Sequence, residues 1–170
     1  MSENITINLE GLSKEEREQL LRLIEKTKRA KKIWKPECGE WYWFIGSDGR
    51  INNCEWENDR IDRGRYSMGN CFRTKEEAEF AREKQKIKIE LQRFADEHND
   101  PDQEEWDGEN YHYKIGYDID DSDLVTTRSL NVRQDDIHFS SKEIAEDAAN
   151  RVGAKRIMKY LFDVDCEVDE

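Results

Sequence analysis

The side chains able to do chemistry are scattered along this chain rather than gathered by spacing. His98, His112 and His138 stand far apart, and none lies beside a Ser or Cys within a local nucleophile signature. We read His98 as a helix-end residue and the other two as ordinary strand positions. Cys38, Cys54 and Cys71 follow one another at gaps of 16 and 17 residues, too wide for a chelating pair, so with His112 they make no zinc signature. With Cys166 they form neither a C-x-x-C motif nor a regular framework, and reduced thiols are expected rather than disulfides. The acids Asp118, Asp120, Asp121 and Asp123 have the density of a calcium loop. That loop needs Gly at its sixth place and an acid at its twelfth, where Asp123 and Ser129 stand, so the stretch reads as a solvated hairpin tip. Glu55, Asp59 and Asp62 could make a nuclease-like carboxylate cluster, but no Lys or His spacing raises them above a polar loop. The glycines fall in turns and caps, not in a phosphate-binding fingerprint. No catalytic residue, metal site or cofactor is predicted.

Charge narrows the partners. The chain carries a net charge of -12, with 40% charged and 35% hydrophobic residues. Such a balance leans toward disorder, but five Trp, six Tyr and six Phe in periodic segments with only two Pro argue for thin folded modules. From Lys26 to Lys35 there are six basic residues and no acid, with Trp34 among them. A phosphate-contacting patch is one reading, and a solvated helix end whose cations complement the dipole is the favoured one. No apolar run approaches the ~18 residues of a membrane span and no leader is visible, so a soluble protein is expected.

The elements follow from periodicity. Residues 5–9 alternate as a short strand, and Ser13 with Glu16 forms a capping box opening a helix with a narrow stripe of Leu20, Leu21 and Ile24. That stripe must dock somewhere, on the sheet or on a second copy of the chain, which makes a homodimer an expectation. Next, 40–46 and 51–56 read as a hairpin around Asp48-Gly49, 57–64 as a polar loop, and 65–72 as a third strand with a bulge at Gly69. Trp41, Trp43 and Ile45 must face one way and Tyr42 and Phe44 the other. Thr74 then caps a helix with a stripe of Ala78, Ala81, Ile87, Leu91, Phe94 and Ala95, fraying near His98.

A second copy follows. Ile45-Gly46 and Asp48 recur as Ile115-Gly116 and Asp118 at an offset of 70, and the run from Phe72 to Glu79 recurs from Phe139 to Glu146 at an offset of 67. The copy is read as strands at 111–119, 124–132 and 137–139, a helix from Lys142 ended by Gly153, and a short helix at 154–162. The expected fold is therefore α+β: an N-terminal helix followed by two related antiparallel sheet-plus-helix modules. The divisions are a 1–36 strand/helix arm, a first module at 37–97, an acidic linker at 98–109, and a second module with an acidic tail at 110–170. Twelve acids against Lys114 alone between Asp96 and Asp123 mark the break.

The combination of Trp34-Lys35-Pro36, Ser47-Asp48-Gly49, Trp56-x-Asn58-Asp59 and Gly69-Asn70-Cys71-Phe72-Arg73-Thr74-Lys75-Glu76-Glu77-Ala78 resembles a group of small uncharacterised proteins encoded by bacteriophages and prophages. Ile137-His138-Phe139-Ser140-Ser141-Lys142-Glu143 is similar too, so the resemblance covers most of the chain. It implies an accessory viral protein acting in a bacterial cytoplasm, and it brings no catalytic residues. The sheet-plus-helix unit also resembles the DNA-binding domains of phage integrases. Residues 40–72, however, hold four Arg against six acids, so nucleic-acid binding is disfavoured.

Two functions remain. The first is a non-catalytic inhibitor of a host protein, with Trp41, Tyr42, Trp43, Trp56, Tyr66 and Trp106 as contact candidates and core packing as the competing role for each. The second is a sponge for a nucleotide signal, its phosphates held by Arg60, Arg63 and Arg65. A structural or regulatory phage protein is the third possibility.

Overall fold

The computed structural model describes residues 34–164, together with Ser13 and Arg17. The expected strand at 5–9, the helix over 13–32, most of the basic run and the tail past Val164 lie outside these residues. The described chain is α+β, with two separate two-stranded antiparallel sheets and four α-helices.

Strands β1 (Trp41–Ile45) and β2 (Ile51–Glu55) pair from Trp41↔Glu55 to Ile45↔Ile51. The expected turn closes them: Gly46 N–H donates to the Arg50 carbonyl at 2.8 Å, and Gly49 takes the positive φ of +77° that the turn requires.

The next stretch departs from the sequence reading. Where a polar loop and a third strand were expected, the chain forms helix α1 (Arg60–Ser67). Asp59 and Asp62 make a reciprocal capping box, with Asp62 N–H donating to Asp59 Oδ1 (2.8 Å) and Asp59 N–H to Asp62 Oδ2 (3.4 Å). Gly69 is no bulge. With φ +69° it is the left-handed residue of a Schellman close, in which Asn70 N–H reaches the Arg65 carbonyl and Gly69 N–H the Tyr66 carbonyl. The third strand shrinks to one antiparallel bridge, Trp43↔Phe72, with both N–H···O distances 2.9 Å.

Helix α2 (Lys75–His98) starts where expected, Thr74 Oγ1 accepting from Glu77 N–H at 3.2 Å. After a 3₁₀ turn at Pro101–Gln103 come β3 (His112–Asp118) and β4 (Asp123–Ser129), then α3 (Lys142–Val152) and α4 (Ala154–Phe162). Gly153, at φ +102°, divides the last two helices. The strand expected at 137–139 is again a single bridge, Tyr113↔Phe139.

The repeat is visible in these bridges. Tyr113 follows Trp43 by 70 and Phe139 follows Phe72 by 67, the same two offsets found in the sequence. The caps agree: Ser141, 67 residues after Thr74, accepts from Ile144 N–H at 3.2 Å. The copies differ between the second strand and the bridge. The first carries α1 there, and the second carries no regular element from 130 to 138.

Packing is unequal. Ile87, Leu91, Phe94 and Ala95 of α2 join Phe139, Ala145, Ala148, Val152 and Ile157 in one buried cluster, with Tyr113 and Ile115 of β3 against it. Arg156 of α4 clasps Glu90 of α2 at 3.1 Å. The first sheet has a smaller aromatic cluster, Tyr42 edge-on to Trp56 (5.7 Å) and Trp56 edge-on to Tyr66 (6.2 Å).

Candidate functional site

The predicted contact residues do not form one surface. Tyr42 (0% exposed) and Trp56 (2%) are core, which corrects their assignment as partner contacts: each spends its ring area on the packing that holds α1 to the sheet. Tyr66 is half-buried against Trp56, and Lys35 Nζ sits 5.5–5.6 Å above both rings. Trp43 is half-buried on β1, while Trp41 stands 59% exposed. The three arginines do not converge either. Arg60 and Arg63 are exposed on α1, whereas Arg65 turns inward, its guanidinium 3.5 Å above the Phe44 ring.

Arg65 belongs to a polar network beneath α1. Its Nη1 donates to Tyr42 Oη (2.9 Å) and to Cys54 Sγ (3.3 Å), and Tyr42 Oη–H donates to Asp62 Oδ1 (2.7 Å). Burial alone would raise the Asp62 pKa. The hydrogen bonds from Tyr42 and from the backbone N–H groups of Glu57, Asp59 and Asn58 outweigh it and hold the carboxyl below its ordinary value. Burial, with Asp62 and Cys54 alongside, drives the Tyr42 hydroxyl upward, so it stays a phenol. Burial also pushes the nearby Cys71 thiol up to about 11, leaving it protonated at neutral pH. Tyr42, Asp62, Arg65 and Cys54 side chains thus meet here as a clamp, each hydrogen-bonded to another of the set.

The second sheet presents a different arrangement. β3 alternates, so Tyr113 and Ile115 face the main core while His112 faces away from it. The segment leaving α2 covers that face. Asn99 stitches it to the opposite strand-like stretch, its Nδ2 donating to the His138 carbonyl and its Oδ1 accepting from Ser140 N–H, both at 3.0 Å. Asp107 shapes the following turn by accepting from Glu109 and Asn110 N–H. Trp106 is thereby laid flat on His112, ring centroids 3.7 Å apart and 8° from parallel. His138 stands perpendicular, 5.0 Å from Trp106 and 6.3 Å from His112. These separations put His138 beside the edge of the indole and leave its second face clear of both imidazoles.

Around this stack opens a cleft of about 960 Å³; among the described residues its full charges are Asp96, Glu104, Glu105, Asp135 and Asp136 against Arg133. Lys114 lies behind one of these acids, 3.9 Å from Asp136, and also donates to Gln134. Burial pulls the His138 pKa down, against the raising pull of Asp136, so its imidazole is neutral at pH 7. His112 is 3% exposed, and its Nε2 is a buried side-chain atom with no hydrogen-bond partner among the described residues. No family model, curated protein or solved structure matches this chain. Its site must therefore be read from its own geometry.

The repeat gives the orphaned atom meaning. His112 stands 70 residues after Tyr42, at the equivalent position of its hairpin, and Tyr42 is satisfied by Asp62 of α1. The second copy has no such helix, and the cleft occupies its place. Among the described residues no group of three or more His, Cys, Asp or Glu side chains is set to hold a metal ion. No helix among them is long and apolar enough to cross a membrane.

Of the predicted contacts, Trp106 alone lines this cleft. Sequence reasoning missed His112, His138, Asp135 and Asp136. The offset of 70 was the available signal, since it equates His112 with a residue that must point inward. An unpaired buried polar atom costs about 1–3 kcal/mol. His112→Phe, which keeps a flat ring under Trp106, is expected to raise stability by about 1 kcal/mol in urea denaturation. A loss of stability would mean that the imidazole is already partnered.

Proposed function

We propose that this chain is a non-catalytic binding protein whose acid-lined cleft engages a basic region of a protein partner. The observation that carries the reading is the lining itself: among the described residues, five carboxylates against one guanidinium, around a half-exposed Trp106. A concentration of one sign of charge raises the on-rate for a cationic surface and disfavours anionic ones. An aromatic beside the charges supplies the desolvated contact that fixes affinity. Trp41, exposed on the first sheet, is a second candidate contact. The resemblance to phage-encoded proteins suggests a host factor in the bacterial cytoplasm as the partner, an antiviral nuclease with a basic nucleic-acid channel being the kind of target such acidity suits. A nucleotide sponge fits less well, since the cleft is acidic and Arg65 is engaged in the clamp.

The test compares wild type with Asp135→Lys/Asp136→Lys in capture from host lysate at low and high salt. Both positions are exposed, so the fold should survive. We expect wild type to retain a specific partner and the variant to lose at least about ten-fold in affinity, with wild-type binding weakening as salt screens the charges. A partner held equally by both proteins, or none held at low salt, would overturn the proposal.

A further inference from the structure

We propose that the cleft beside Trp106 is a recognition pocket for a guanidinium group, the side chain of an arginine displayed by the partner, with His112 Nε2 as its buried acceptor. This rests on the reading of the cleft as the binding site and specifies what enters it.

The unpartnered Nε2 admits two kinds of ligand. If Nε2 carries the proton it needs an acceptor, and if Nδ1 carries it, Nε2 needs a donor. The lining decides between them. A carboxylate or phosphate entering the cleft would meet Asp96, Glu104, Glu105, Asp135 and Asp136 with only Arg133 in its favour, whereas a cation would be drawn in. The ligand is therefore a donor, which requires a neutral imidazole with its proton on Nδ1.

Among cationic side chains, arginine fits the geometry better than lysine. A guanidinium is planar, weakly hydrated and carries five N–H donors in a rigid fork, so it can meet an imidazole nitrogen and carboxylates together and lie against an aromatic plane. The indole face over His112 offers such a plane to a guanidinium held at Nε2 in the plane of the imidazole. An ammonium is a compact, strongly hydrated charge that gains less from a flat wall. Nε2 has no solvent exposure in the free protein, so the ligand must displace part of the wall. Trp106, in a segment without regular secondary structure, is the piece placed to shift.

The full chain is titrated at low salt with three blocked pentaglycine peptides whose central residue is replaced by arginine, lysine or the neutral isostere citrulline. Tryptophan fluorescence and the ring-nitrogen NMR shifts of His112 are the readouts. We expect the arginine peptide to bind about ten-fold more tightly than the lysine one, with citrulline weaker still, and His112→Phe to bring arginine down to the lysine level. The His112 Nε2 resonance should be that of an unprotonated nitrogen and should move on binding. Equal binding of arginine and lysine, an Nε2-protonated ring, or undiminished arginine preference in His112→Phe would each overturn the pocket while leaving an acidic docking surface standing. Failure of both cationic peptides to bind would remove the pocket and the broader reading together.

Discussion

Phe139→Ala is expected to destabilise the protein by about 3–5 kcal/mol, the range for removing a large aromatic from a packed interior. Phe139 is 1% exposed, and its ring lies in the cluster built by α2, α3 and α4. Its backbone forms the bridge to Tyr113, with N–H···O distances of 2.8 and 2.7 Å, so the surrounding chain is pinned and cannot collapse into the void. Phe72 is its counterpart in the first copy but is only half-buried, and Phe72→Ala should cost clearly less. Urea denaturation followed by circular dichroism measures both. Equal losses would show that the two bridges carry equal packing, contrary to the unequal cores described above.

Asp62→Ala should lower stability by roughly 3 kcal/mol, because several groups lose their acceptor at once and each costs about 1–3 kcal/mol when left unpaired. Those groups are the Tyr42 hydroxyl and the backbone N–H groups of Glu57 and Asp59. The Asp59 N–H bond is the reciprocal half of the capping box of α1, so the variant keeps only the half made by the Asp59 side chain. The pH dependence has a definite sign. The folded-state pKa of Asp62 lies below the ordinary value of 3.8, so its contribution is complete above that value and is lost as pH falls through the lower folded-state pKa. In Asp62→Asn the deficit relative to wild type should thus hold steady from neutral pH down to roughly pH 4 and shrink below it. Urea midpoints measured across that range test this, and a deficit that grew in acid would contradict the assignment.

Local patterning carried much of this structure into view before any coordinates. Asp48-Gly49 demanded a turn, Thr74 and Ser141 demanded helix starts, Gly153 a helix end, and the spacing from Ala78 to Ala95 an apolar stripe. Each signal lies within a few residues of what it specifies. Helix α1 lacks such local signals. Its stripe is weak, Gly64 interrupts it, and the capping box is made by two aspartates rather than the usual hydroxyl and glutamate. What sustains it is remote: a phenol twenty residues earlier reaching Asp62, and Arg65 reaching back to the first sheet.

The amino-acid order by itself determined the α+β class, the two hairpins, the starts of α2 and α3 and the repeated spacings, since these depend on backbone preferences and on periodicity along the chain. It also set the net charge of -12. Only the tertiary structure decided which aromatics are spent on packing and which remain available, because Tyr42 and Trp56 differ from Trp41 in what covers them, not in residue type. The cleft was likewise out of reach of sequence. It exists because one copy of the repeat fills a position with a helix and the other does not, leaving His112 against Trp106 with a nitrogen unpaired. Contacts between residues far apart in the chain are set by how whole elements pack, and no local spacing records them.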